Sequence, residues 1–259
     1  MISALGHSLR IKVKDFLYMI GYLGKLITAS FFFAKRGKTA RKILTMQLLF
    51  TYVEALPICC FLAAGIGSSV FMIGNTFLTA LGQDKLKYDL MVLLIMRELG
   101  PILIAFIVTA RSATAIATEI STMVVDHEIE AYISVGIDPI SHIAAPRFLG
   151  VTFSLFFLNI YFSLFGLLCP AIIIQFISTT SISDYLRNIF LALELKIILI
   201  SILKSIVFGM IISGSATLFG FNAGRASTEI PMAGLHAVSK AFLFIILADV
   251  FITVLSYTL

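Results

Sequence analysis

The stretch Arg97-Glu98-Leu99-Gly100-Pro101 places two charges and a helix-bending pair inside an apolar run. A charged side chain at membrane depth is costly, and the few that persist there usually mark a functional site. Proline removes one backbone hydrogen bond and bends the helix that carries it. The stretch therefore predicts a bent, charged membrane helix, which is typical of a pathway for a polar or amphiphilic substrate.

The composition of the chain indicates that lipid is its main solvent. Of the 259 residues, 59% are hydrophobic and only 13% are charged, and the mean hydropathy is +1.05. Soluble domains are about half apolar and about a quarter charged, so an ordinary soluble fold is excluded. We predict a basic N-terminal segment over residues 1–46 and one transmembrane domain over residues 47–259.

The basic N-terminal segment predicts the orientation of the chain. Nine of the nineteen Lys and Arg residues lie before residue 43, which the positive-inside rule assigns to the cytoplasm. Apolar runs interrupt these basic residues, so we expect no nucleic-acid partner.

Residues 9–33 are predicted to form an interfacial amphipathic helix. Lys25 divides them into halves that are each too short to span a bilayer, which needs about 20 helical residues. The alternative is an additional span. The predicted apolar face contains Phe16, Met19, Ile20, Leu23 and Ile27.

Five later apolar runs are long enough to cross a bilayer as helices. We predict these spans at Leu48–Ile73, Leu90–Met123, Phe148–Ile177, Leu193–Gly220 and Leu235–Leu259. The second run is too long for a simple span, so we expect its helix to continue into the cytoplasm. Five spans from a cytoplasmic N-terminus place the C-terminus on the far side, with loops 74–89 and 178–190 outside and 124–147 and 221–234 inside.

The inner connector at 124–147 carries the signals of a short helix outside the membrane. Asp126 is the expected N-cap, and Glu128 and Glu130 follow in the first turn, where acidic residues suit the helix dipole. Gly136 is expected to end the helix. Tyr132 belongs to its short apolar face.

Four further charges lie in or beside the spans. Lys204 and Asp249 lie near the middle of the fourth and fifth spans at similar depths, so we predict that they pair, because each charge alone in lipid would be expensive. Direct contact with lipid is the alternative. Arg111 and Glu119 lie eight residues apart on nearly one helix side, and we expect them to tie the cytoplasmic ends of helices together.

Several blocks of the sequence resemble the MlaE/YrbE family of ABC-transporter permeases. They are Arg97-Glu-Leu-Gly-Pro-Ile-Leu, the small-residue run from Ala110 to Met123, Glu128-Ile-Glu-Ala-Tyr and Gly136-Ile-Asp-Pro139. Phe219 to Thr228 is similar to the family's glycine-rich loop, although it lacks the consecutive glycines often found there, and Asp249 matches a late acidic residue. The resemblance runs from about residue 40 to the C-terminus.

The resemblance implies an all-α integral membrane permease with an interfacial N-terminal helix, five transmembrane helices and a cytoplasmic coupling helix between the second and third. It implies a homodimer in the bacterial inner membrane, two cytoplasmic ATPase subunits and a periplasmic partner with an MCE domain. The implied substrate is a phospholipid that moves between the inner and outer membranes, which maintains outer-membrane asymmetry. No cofactor is expected in this chain. Gly37-Lys38-Thr39 matches the last three residues of a phosphate-binding loop, but Phe32 occupies the position at which that loop needs glycine. We therefore expect a partner subunit to bind ATP.

These expectations assign roles to individual residues. Arg97 is predicted to bind the lipid phosphate through paired hydrogen bonds, and Glu98 to orient an arginine or to contact a cationic headgroup. The alternative for both is a structural ion pair. The helix with Glu128, Glu130 and Tyr132 is predicted to dock on the ATPase, against the alternative of a solvated or lipid-bound connector.

Three other functions compete with lipid export or import by a permease. A stand-alone secondary transporter would use Arg97, Glu98 and Asp249 as ion or proton sites, but no inverted repeat is evident. An intramembrane enzyme would need a nucleophile or a metal site, and neither a nucleophile motif nor metal-ligand spacing is present in the sequence. A structural scaffold is disfavoured by the buried charges.

Overall fold

The computed structural model describes residues 18–19, 21–33, 38–177 and 181–258, and all regular structure within these ranges is helical. Helix α1 occupies residues 21–33. The remaining α-helices are α2 Lys38–Leu48, α3 Glu54–Ala80, α4 Leu86–Val92, α5 Gly100–Val108, α6 Thr114–Val125, α7 Glu128–Ser134, α8 Ala145–Ile177, α9 Ile182–Ala192, α10 Leu195–Phe221 and α11 Glu229–Thr258. Short π-helical segments join several of them, at Leu49–Val53, Leu93–Leu99, Thr109–Ala113 and Ile140–Ala144.

Within the described ranges, five of the resulting helices are long and apolar enough to cross a membrane. They are Lys42–Ala80, Leu86–Val125, Ile140–Ile172, Leu195–Phe221 and Glu229–Thr258. The predicted all-α membrane fold with five spans is therefore confirmed. The second of these helices has 40 residues, about twice the number that a bilayer span needs.

Three predicted loops are wrong in extent, because their polar residues lie on helices. The first span continues to Ala80, so a turn at residues 81–85 replaces the loop predicted at 74–89. Helix α11 already begins at Glu229, inside the predicted loop 221–234. The loop predicted at 178–190 contains α9, whose N-cap Ser181 accepts a hydrogen bond from the amide of Ser183 at 3.3 Å.

The predicted connector helix is present as α7, but its predicted cap is wrong. Asp126 ends α6, and His127 occupies the N-cap position in a left-handed conformation, with φ 60° and no side-chain cap hydrogen bond. His127, in the left-handed conformation, turns the chain between α6 and α7. Asp126 therefore precedes the N-cap position of α7 and cannot occupy it. Gly136, with φ 78°, follows the helix at its predicted end.

Tertiary contacts divide the chain into two compact units. Unit 1 contains Met1–Leu48, Thr109–Val151 and Met210–Phe244, and unit 2 contains Leu49–Val108, Thr152–Gly209 and Ile245–Leu259. Each unit is therefore assembled from three separate stretches of sequence.

In unit 1, the N-terminal helix packs through a face that the sequence only partly predicts. The buried side chains Met19, Tyr22 and Leu26 pack with Ala144, Phe148 and Leu218. Ile27 was expected on this face but is 39% exposed, because it lies on the side of the helix that faces away from these residues. Residues 9–17 and 20 of the predicted helix lie outside the described residues, and its location in the membrane interface stays a prediction.

In unit 2, α9 is held by a buried tyrosine. The Tyr185 hydroxyl donates a hydrogen bond of 2.7 Å to the carbonyl of Leu167, and the ring lies edge-on to Phe71 at a centroid distance of 5.4 Å. Burial raises the pKa of the phenol. These contacts fix α9 against α3 and α8, next to the site described below.

Helices α3 and α8 approach each other closely at two glycines. A Cβ atom added to Gly67 would overlap the carbonyl group of Gly166, so the backbones touch without intervening side chains. Small residues allow such close contact between membrane helices, where dispersion contacts and weak polar contacts drive association.

We expect Gly67→Ala to destabilise the protein by about 1–3 kcal/mol, the usual range for overpacking a tight core. Thermal unfolding of the protein purified in detergent measures this effect. Gly65→Ala is the matched control, since nothing lies within 4 Å of a Cβ added there. Equal melting temperatures for the two variants would contradict the close contact.

Candidate functional site

Lys204 is the centre of a charge cluster in unit 2. Its side chain is completely buried, and its Nζ lies 2.6 Å from Glu98 Oε2 and 2.8 Å from Asp249 Oδ1. The structure thus brings together Lys204 and Asp249, which the sequence analysis paired by depth. It also shows a contact that the sequence analysis missed, because Glu98 had been considered only beside an arginine or a headgroup.

Arg97 completes the cluster from the other side of Glu98. Its Nε lies 3.0 Å from Glu98 Oε1, and its Nη2 donates a hydrogen bond of 2.5 Å to Ser256 Oγ. The guanidinium carbon also lies 4.3 Å from the centre of the Tyr257 ring, a cation–π distance. Glu98 therefore bridges two cations, one on each carboxylate oxygen.

The backbone around Gly100 explains how two adjacent residues reach these partners. Arg97 and Glu98 lie in the π-helical segment Leu93–Leu99, and such wider turns recur at functional sites. Gly100 and Pro101 then begin α5, so the proline stands where the helical hydrogen bonding changes. A Cβ on Gly100 would lie 3.1 Å from Asn159 Oδ1, so glycine lets α8 pack closely behind the cluster.

The cluster has two cations and two anions, so its formal charge is zero. Charges buried away from water are tolerated when they are paired and hydrogen-bonded, and removing one partner leaves an uncompensated charge. The Thr253 hydroxyl adds a hydrogen bond of 3.3 Å to Glu98 Oε2. The ion pairs of Lys204 and the hydrogen bond of Thr253 connect the helix Leu86–Val125 with α10 and α11.

One cavity of unit 2 reaches the cluster. It has a volume of about 280 Å³ and is lined by both polar and apolar residues. Buried Arg97 and Ser256 line it together with Tyr257, Asp89, Glu194 and Lys196. Arg97 is thus the member of the cluster that lines this cavity, and its exposed fraction is only 5%.

A second cavity of unit 2, of about 300 Å³, lies between α3 and α4 and is almost entirely apolar. Its one charged lining residue, Lys87, already donates hydrogen bonds of 3.0 Å to Asn75 and to Asp84. The Lys87 contact lowers the pKa of the Asp84 carboxyl. This cavity suits hydrocarbon, whereas the first one also offers a buried guanidinium to an anion.

The residues predicted to couple to an ATPase lie in unit 1. Glu130 accepts a hydrogen bond of 2.6 Å from Arg225 and lies 2.9 Å from the His127 ring, while Glu128 is exposed. The ring of Tyr132 lies 5.7 Å from that of His142. No residue of α7 is buried, so the helix presents its acidic and apolar side chains at the surface.

The two charges expected at helix ends have separate positions in unit 1. Glu119 forms an ion pair of 2.7 Å with Arg147 and thereby ties α6 to the start of α8. Arg111 is partly buried in the π-helical segment Thr109–Ala113. Glu119 and Arg147 are 28 residues apart in the sequence, so helix periodicity alone does not predict their ion pair.

No group of three or more His, Cys, Asp and Glu side chains that could hold a metal ion occurs among the described residues. The arrangement in unit 2 is instead suited to binding an anion, because a guanidinium forms paired hydrogen bonds with phosphate or carboxylate groups.

Comparison with known proteins gives this geometry a context. A family model described as Permease MlaE matches residues 44–255. The chain is 26% identical to a probable ABC transporter permease protein of Rickettsia typhi, over 83% of both chains. It is 23% identical to the intermembrane phospholipid transport system permease protein MlaE of Haemophilus influenzae, over 99% of this chain and 97% of that one. It is also 25% identical to the chloroplastic protein TRIGALACTOSYLDIACYLGLYCEROL 1 of Arabidopsis thaliana, over 83% of this chain and 61% of that one.

The matched region contains every residue of the charge cluster and all of α7, together with nearly the whole of the five candidate spans. The resemblance seen in the sequence motifs is therefore confirmed. With most of its length matched by the family model, the chain belongs to the MlaE permease family.

Proposed function

We propose that this protein is the permease subunit of an ATP-driven transporter in the bacterial inner membrane that moves phospholipids between the inner and outer membranes and so maintains outer-membrane asymmetry. The names of two relatives support this proposal, since one is called an ABC transporter permease and the other a phospholipid transport permease. The observation that carries it is the buried Arg97 side chain lining a cavity.

Arg97 acts as the headgroup contact in this proposal. A guanidinium has five N–H donors, and in the described part of the chain one hydrogen-bond acceptor, Ser256, and one ion-pair partner, Glu98, contact it. The other donors are free to form the paired hydrogen bonds that a phosphate accepts. Glu98 orients the guanidinium through its contact with Nε.

Lys204 and Asp249 have a positioning role. Without Lys204 and Asp249, Glu98 would pair only with Arg97, and the orientation of both side chains would depend on that one ion pair. The salt bridges of Lys204 to both carboxylates hold Glu98 in place. The apolar tails of the lipid lie along the hydrophobic walls of unit 2.

The partners follow from the family and from the exposed helix α7. We propose that a second copy of this chain and two cytoplasmic ATPase subunits complete the membrane complex, with an MCE-domain protein on the periplasmic side. The ATPase docks on α7, where Ile133 and Val135 are 60% and 71% exposed beside the acidic residues Glu128 and Glu130. This places the N-terminus in the cytoplasm and the C-terminus in the periplasm.

We expect Arg97→Ala to reduce phospholipid transfer about tenfold or more, since a hydrogen bond to a charged group contributes about 1.5–3 kcal/mol. Transfer between vesicles containing the reconstituted complex measures this effect. Arg97→Lys keeps the charge but not the paired geometry, so it should also lose transfer while remaining assembled. Arg187→Ala, on the exposed face of α9, is the control. Normal transfer by Arg97→Ala would remove Arg97 from the mechanism.

Lys204→Met should destabilise the purified permease by about 3–5 kcal/mol, because two partly buried carboxylates lose their shared partner. Adding Asp249→Asn should recover part of this loss, since it returns the cluster to a formal charge of zero. The melting temperature in detergent measures both changes, with Lys240→Met, an exposed lysine in α11, as control. A Lys204→Met variant as stable as the unaltered protein would contradict the role of the cluster.

Changing Glu128 and Glu130 to Lys should weaken attachment of the ATPase, because it reverses the charge of the proposed docking helix. The amount of ATPase that co-purifies with the tagged permease measures attachment. Asp184→Lys, on the surface of α9 in unit 2, should leave it unchanged. Full attachment to the Glu128→Lys/Glu130→Lys variant would mean that the ATPase docks elsewhere.

A further inference from the structure

Three charged residues at the cavity of about 280 Å³ have no partner among the described residues. Asp89 lies on α4, and Glu194 and Lys196 lie where α9 passes into α10. All three are exposed, and none forms a side-chain hydrogen bond or ion pair with another described residue. Because these three side chains form no ion pair with the described protein and line one cavity, a ligand in that cavity can bind them.

The same cavity has a buried cation in its lining. Arg97 is 5% exposed, its Nε lies against Glu98, its Nη2 donates to Ser256, and its Nη1 has no hydrogen-bond acceptor among the described residues. Beside it lie Ser256, which is 8% exposed, and the more open Tyr257 ring. A buried guanidinium with unused donors requires an acceptor, because a buried donor without one is costly.

The balance of charge indicates what kind of ligand fits. The cavity lining has two cations, Arg97 and Lys196, and two anions, Asp89 and Glu194. Free phosphate or an anionic headgroup would meet the cations but also the two carboxylates, which repel it. A ligand with one phosphate and one ammonium group matches both pairs in charge. A primary ammonium group also donates hydrogen bonds to the two carboxylates, which a quaternary ammonium group cannot do.

The size and the remaining walls of the cavity indicate a headgroup with attached tails. The cavity volume of about 280 Å³ is just below the range for small-molecule pockets, about 300–1,000 Å³, so a headgroup fits and a whole phospholipid does not. Leu93, Ala192 and Ile197 supply apolar lining for the parts of the lipid next to the phosphate.

We propose that this cavity selects zwitterionic phospholipids with a primary amine, of the phosphatidylethanolamine type. Arg97 and Lys196 bind the phosphate, and Asp89 and Glu194 bind the ammonium group. The proposal rests on the proposed function, since it names the headgroup that the transporter prefers.

Lipid competition tests the selectivity of the full complex. The complex, purified in detergent, is equilibrated with micelles that contain equal amounts of phosphatidylethanolamine, phosphatidylglycerol and phosphatidylcholine, and the bound lipids are quantified by mass spectrometry. We expect bound phosphatidylethanolamine to exceed each of the others about tenfold or more, as the loss of a hydrogen bond to a charged group predicts. Equal binding of the three lipids overturns the amine site without affecting the proposed transport function. Absence of any bound phospholipid counts against the transport function itself.

Variants then assign the selectivity to the cavity. Asp89→Asn combined with Glu194→Gln should lower bound phosphatidylethanolamine to the level of the other two lipids, because the ammonium group loses both carboxylates. Asp184→Asn, an exposed acid of α9 outside the cavity, should keep it. A preference that survives in the double variant overturns the assignment.

A soluble competitor distinguishes a lipid headgroup from a free phosphodiester. Glycerophosphoethanolamine has the same charged groups but no tails, so at equal concentration it should not displace the bound lipid. Displacement would assign the cavity to a soluble ligand and overturn the proposal.

Discussion

The complete burial of Lys204 between two carboxylates is the constraint on which this structure depends. An ammonium group without contact to solvent is stable only where opposite charges neutralise it, and Glu98 and Asp249 do so at 2.6 and 2.8 Å. Because the three residues come from three different helices, the need for charge balance fixes how these helices pack. The positions of Arg97 and its cavity follow from that packing.

Within this neutral cluster the four residues are not equivalent. Lys204 contacts both Glu98 and Asp249, which is a structural arrangement, whereas Arg97 also lines a cavity. From the sequence, an ion pair between Arg97 and Glu98 and contact with substrate were alternatives. The geometry combines them, since Glu98 contacts the Nε edge of the guanidinium and Ser256 accepts from Nη2, which leaves further N–H donors for a ligand.

The sequence predicted the features that depend on local composition. Long apolar runs predicted the five spans, and equal depth in the membrane was enough to pair Lys204 with Asp249. It did not predict α9, because the Ser and Thr residues and the charges of Asp184 and Arg187 indicated a polar loop, whereas Tyr185 and Ile189 form the buried side of a helix. It also missed the contact between Glu98 and Lys204 and the contacts of Arg97 with Ser256 and Tyr257. These join residues more than a hundred positions apart, across a π-helical segment that changes which side of the helix each residue occupies.

The distance between the Arg97 guanidinium and a lipid phosphorus atom tests the central claim most directly. Solid-state NMR on the complex in phosphatidylethanolamine bilayers, with ¹⁵N-labelled arginine, can measure ¹⁵N–³¹P dipolar coupling, and the Arg97→Lys variant identifies the signal. We predict a coupling that corresponds to about 4 Å, the separation expected for a guanidinium hydrogen-bonded to phosphate. An Arg97 signal with no coupling to phosphorus, in a complex that still transports lipid, would contradict the account.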